Sequence, residues 1–64
     1  MLKVNGLYQI QPKSLIMGDV IFCQDEVVEV LKLKGINVMV KRLNTGEIEE
    51  VSAQGLEFAV EKIG

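Results

Sequence analysis

The side chains of this chain that can do chemistry at neutral pH are few: Cys23, the neighbours Lys13 and Ser14, and two groups of carboxylates, Asp19 with Asp25 and Glu26, and Glu47 with Glu49 and Glu50. A cysteine nucleophile needs a nearby cation or base to form the thiolate. Cys23 ends the apolar run VIFC and the chain has no histidine, so a small buried hydrophobe is expected there. Lys13 and Ser14 are adjacent, and neighbours on an extended chain point to opposite faces, so they do not form a dyad. Paired carboxylates serve as acid and base only where a concave site raises one pKa. A chain of 64 residues has little room for such a cleft, and both acidic groups read as turn residues and solvated strand faces. Neither has the D-x-D-x-D-G spacing of a calcium loop, and no glycine-rich segment meets a helix start to cradle phosphate. No catalytic residue, cofactor or metal is expected, and the chain reads as a non-enzyme.

Binding chemistry is better represented. Lys32, Lys34, Lys41 and Arg42 fall within eleven positions and are followed by Glu47, Glu49 and Glu50. Contact with nucleic acid would use such cations for phosphates and exposed aromatics for base stacking. Tyr8 is the candidate stacking platform, whereas Phe22 and Phe58 stand in apolar runs and are expected in the core. The turn LNTGEI folds the acidic arm back on the basic one, bringing Lys41 and Arg42 opposite or diagonal to Glu47, Glu49 or Glu50. Lys32 and Lys34 have no partner close in sequence and remain the freest candidate contacts. With seven basic and nine acidic residues the net charge is -2, so there is no global positive field for a polyanion.

Strands must position these residues. VIF, VVEVLKL, INVMV, EIEEV and FAV are rich in β-branched or aromatic residues and are separated by turn formers. Gly18 and Asp19 provide the first turn, after which Val20 and Phe22 share one face and Ile21 and Cys23 the other. In VVEVLKLKG the inward set shifts from Val28 and Val30 to Leu31 and Leu33, the pattern of a β-bulge that bends the strand. Ile36, Val38 and Val40 share a face of the next strand, and Asn44-Thr45-Gly46 suits a type I turn with a left-handed glycine. SAQGLEF reads as a turn of 3₁₀ helix, and FAVEKI as the last strand. Residues 1–17 form either an N-terminal hairpin through Asn5-Gly6 or a loop wrapping the rim, with Pro12 breaking any continuous strand.

This order of features resembles the SH3-like small β-barrels, the group that contains KOW and Tudor modules. The resemblance rests on Leu15 with Gly18 and Asp19, the bulged VVEVLKLKG, the NTG hairpin and the AQGL turn. It implies an all-β, five-stranded, strongly bent barrel spanning residues 1–64 as a single domain, and it leaves function open, because such barrels host unrelated activities. SLIMGD with VLKLKGINVMV is also similar to the carbon storage regulator family of RNA-binding dimers. The chain departs from that pattern in the eleven residues between Asp19 and Leu31 and in GLEFAVEKIG, which replaces a basic helix start.

The expected role is a small binding module that engages a protein partner or associates with itself. Apolar Val27, Met39 and Leu43 fall on the outer face of the strands and join Lys32, Lys34, Lys41, Arg42 and Tyr8 as candidate contacts. A nucleic-acid-associated module using the basic hairpin is the alternative. A lone cysteine and the absence of an apolar run of membrane length point to the cytoplasm and to no membrane partner. Free-standing barrels of this size are similar to small proteins of phages and mobile elements.

Overall fold

The computed structural model describes all 64 residues. In chain order the elements are β1 (Leu7–Ile10), β2 (Ser14–Met17), β3 (Val20–Cys23), β4 (Val27–Lys34), β5 (Asn37–Arg42), β6 (Ile48–Ser52), α1 (Ala53–Ala59) and β7 (Val60–Lys62). Five strands form one sheet in the order β6-β5-β4-β1-β7, and β2 and β3 form a separate two-stranded hairpin. Every pairing is antiparallel.

The local reasons are those of the sequence. Gly18, at φ 62°, turns β2 into β3 so that Met17 pairs with Val20; a positive φ at the first central position of a two-residue loop matches the strand twist. The expected bulge in β4 is present, with the register shifting between Val30 and Lys32. The β5–β6 connection also forms as expected. Gly46 takes φ 81° and its N–H donates to the Arg42 carbonyl at 2.7 Å.

A single-layer core lies between one face of the large sheet and the hairpin with α1. Val28, Val30, Val38, Val40, Val51 and Ile10 come from the sheet, Phe22 from the hairpin and Leu56 from the helix. Leu15, Met17 and Val20 pack against this cluster from the hairpin. The chain before β1 contributes Leu2. Gly6 beside it leaves no room for a side chain, since a Cβ there would meet the Tyr8 ring at 2.9 Å.

The five-stranded barrel is corrected on three points. There are seven strands in two sheets, and β6 and β7 are the two edges of the large sheet with no pairing between them, so no barrel closes. SAQGLEF carries a seven-residue α-helix, capped by the Ser52 hydroxyl, which accepts from the Gly55 N–H at 3.2 Å. Phe58 and Ala59 belong to that helix and not to the last strand. The first seventeen residues hold β1 and β2, and β1 runs through the sheet between β4 and β7. No helix is long and apolar enough to cross a membrane.

Candidate functional site

Period-2 alternation divides the large sheet into a core face and an outer face. On the outer face of β4 and β5, Glu29 stands directly opposite Lys41, and Lys32 opposite Met39. Flanking strands extend these rows: Leu7 lies opposite Glu29, Ile48 opposite Lys41, and Glu50 opposite Met39. Leu43 joins beside Val27, its N–H donating to the Val27 carbonyl at 3.1 Å, and Ile63 joins beside Leu7, its N–H donating to the Leu7 carbonyl at 2.9 Å. Leu43, Ile48 and Ile63 are 46%, 55% and 49% exposed, and Leu7, Val27 and Met39 are half-buried. The face is thus a set of apolar side chains crossed by one acid–base row.

Six of the eight residues singled out from sequence, Val27, Lys32, Lys34, Met39, Lys41 and Leu43, share this face. Two do not. Tyr8 is 3% exposed and its hydroxyl accepts from the Lys3 N–H at 2.8 Å, so it is a core residue and not a surface platform. Arg42 points to the core side, where Nε and Nη2 donate to Glu26 at 2.6 and 3.0 Å and Nη2 also reaches the Ile21 carbonyl. Its guanidinium lies 4.9 Å from the centre of the Phe22 ring, and the hydrogen bond with Glu26 holds its pKa above the usual value. The expected placement beside the acidic arm holds, with Arg42 opposite Glu47 and Lys41 diagonal to Glu50, but as an ion pair it amounts only to a contact between Arg42 and Glu49 at 3.7 Å.

Lys34 lies at the end of the sheet and is not free: its Nζ stands 3.5 Å from Glu50 Oε1. The Asn37 side chain donates to the other Glu50 oxygen at 2.9 Å, and this hydrogen bond, with the Lys34 charge, holds the Glu50 carboxyl below its ordinary range. Lys32 and Lys41 form no ion pair.

Two further expectations change. Cys23 is exposed, because it shares the outward side of the hairpin with Ile21 while Phe22 fills the core. Phe58 is 86% exposed on α1, where Leu56 takes the buried position instead. Outside the sheet face, a groove of about 300 Å³ separates the hairpin tip, Ile16 to Gly18, from Asn37 and the end of β6. Its lining mixes apolar side chains with Glu50 and Ser52 and brings no pair of titratable groups together. No three His, Cys, Asp or Glu side chains gather where a metal ion could sit.

No protein-family model, curated protein or solved structure matches this chain.

Proposed function

We propose that the protein is a small non-enzymatic binding module that engages a protein partner through the outer face of its five-stranded sheet. The observation that carries this reading is the grouping on one face of Leu7, Val27, Met39, Leu43, Ile48 and Ile63, each exposed or only half-buried. Apolar side chains gathered on one face of a small domain mark an interaction site more often than apolar residues scattered singly do. The acid–base row through Glu29 and Lys41 adds register to such a contact without giving it a net charge.

The sheet order β6-β5-β4-β1-β7, the separate β2–β3 hairpin, the bulged β4 and the short helix before β7 leave this face uncovered by any element of the chain and so open to a partner. A cytoplasmic site of action fits a single cysteine that is exposed and unpaired.

Of the basic hairpin, Lys32 and Lys41 are what is left to hold nucleic acid. Arg42 and Lys34 are engaged by Glu26 and Glu50, and Tyr8 and Phe22 are consumed by the core. Affinity capture from lysate, with and without nuclease, separates the two ligands. A protein retained in both samples is expected; RNA or DNA that carries all captured material and vanishes with nuclease would replace this reading.

A further inference from the structure

We propose that the partner of the outer face is a second copy of this chain, packed face to face about a two-fold axis that runs along the strands between β4 and β5. The inference rests on the binding-module reading and names its occupant. It comes from the order of residues across the sheet. Reading through β1, β4, β5 and β6, one row is Leu7, Glu29, Lys41, Ile48. It runs apolar, acid, base, apolar, and its midpoint falls between β4 and β5.

A two-fold axis at that midpoint exchanges β4 with the β5 of the other copy and β1 with its β6. Glu29 then faces Lys41 of the second copy and Lys41 faces its Glu29, while Leu7 meets Ile48 in both directions. The row on one side obeys the same operation, because Val27 and Leu43 are neighbours across β4 and β5 and each meets the other's counterpart, and the row on the other side lays the apolar stem of Lys32 on Met39 of the second copy. An isologous interface needs such a self-complementary patch. The alternative in-plane axis, at right angles to the strands and through the same row, would set Glu29 against Glu29 and Lys41 against Lys41. Charge therefore rules out that alternative, and sheets packed about an axis along the strands keep those strands within about 30° of each other.

The face spans four strands about 4.8 Å apart and some five residues along each, on the order of 300 Å² in projection. Even with side-chain relief raising its accessible area to about twice that, the face stays below the roughly 800 Å² per partner of a standard interface, out of a total chain surface of 4088 Å². The dimer is accordingly weak and reversible, and it dissociates on dilution.

Sedimentation equilibrium on the whole chain tests this with two single charge reversals, Glu29→Lys and Lys41→Glu, each checked for fold by circular dichroism. Both positions point away from the core, so both variants should fold. The wild type should dimerise at high micromolar concentration, and each variant alone should weaken the dimer by more than about tenfold, since like charges are set against each other twice. An equimolar mixture of the two variants should dimerise again. One variant then carries lysine at both positions 29 and 41, the other carries glutamate at both, and every charged contact across the axis is once more between opposite signs. No contact within one chain can produce that recovery. Leu43→Asp provides a second route and should leave a monomer. A monomeric wild type at near-millimolar concentration, variants that dimerise like the wild type, or a mixture that stays monomeric would each overturn the proposal. A monomeric wild type that still captures a different protein would do so while leaving the binding-module reading intact.

Discussion

Arg42 and Glu26 close a two-point ion pair across the core side of the sheet, Nε to Oε2 at 2.6 Å and Nη2 to Oε1 at 3.0 Å. The Glu26 side chain is buried, and its Oε1 also accepts from the Cys23 N–H at 3.1 Å. This pair joins the β3–β4 turn to the end of β5 and seals the rim of the core beside Phe22. A basic residue that looked like a ligand contact is thereby a structural one.

Removing one partner leaves a buried charge without compensation, which costs about 3 kcal/mol or more. Arg42→Met should therefore lower the urea midpoint sharply in a domain of this size. Adding Glu26→Leu to that chain should recover at least half of the loss, because the stranded carboxylate is gone. Strictly additive losses in the double variant would show that the two residues do not act as a pair.

Burial alone would raise the Glu26 carboxyl, but hydrogen bonds from Arg42 and the Cys23 amide, with the Arg42 charge, outweigh it and hold the pKa below the ordinary carboxylate value. A depressed folded-state pKa contributes stability that is complete above the unfolded value of about 4.3 and is lost as pH falls through the folded value. Melting temperatures measured from pH 7 downward should fall below about pH 4. The Glu26→Gln chain should start lower and fall less over the same window. Parallel curves for the two chains would remove Glu26 as the cause.

Phe22 and Phe58 look alike in sequence and should behave oppositely. Phe22 is fully buried and Phe58 is 86% exposed. Phe22→Ala should cost about 3 to 5 kcal/mol, and Phe58→Ala should stay within about 0.5 kcal/mol of the wild type. Guanidinium titration of both variants checks the assignment; equal losses would place Phe58 against the core.

Much of the strand pattern was legible because it is local. The β4 bulge, the Gly18-Asp19 and Asn44-Thr45-Gly46 turns and the Val38–Val40 face all follow from alternation and turn chemistry within a few residues. The placement of β1 between β4 and β7 was not, since it depends on pairing Leu7 with Glu29 and Tyr8 with Lys62, far apart along the chain. The helix was hidden by the strand-like FAV and by Gly55, a poor helix former. Burial of Leu56, with Ala53 and Val60 packed near it, decides that segment against local propensity. The Glu26–Arg42 pair did leave a signal. Glu26 shares its parity with Val28 and Val30, and Arg42 with Val38 and Val40, so strict alternation already put both on the core face. Charge proximity to Glu47, Glu49 and Glu50 obscured it.

Ser52 ends β6 and caps α1 through the Gly55 N–H. Ser52→Ala should cost about 1 kcal/mol, and Ser52→Asp should keep most of the stability, because the carboxylate can accept the same bond. Chemical denaturation distinguishes them; equal stability of all three chains would mean that tertiary packing of Leu56 alone holds the helix.

The most direct measurement of the binding account compares two chains of equal charge change in the same capture experiment. One carries Met39→Asp with Leu43→Asp on the outer sheet face, and the other Ile16→Asp with Ile21→Asp on the exposed side of the hairpin, where the two isoleucines pair. The account predicts that the sheet-face chain loses the bound protein and the hairpin chain keeps it. Loss from the hairpin chain with full retention by the sheet-face chain would contradict it.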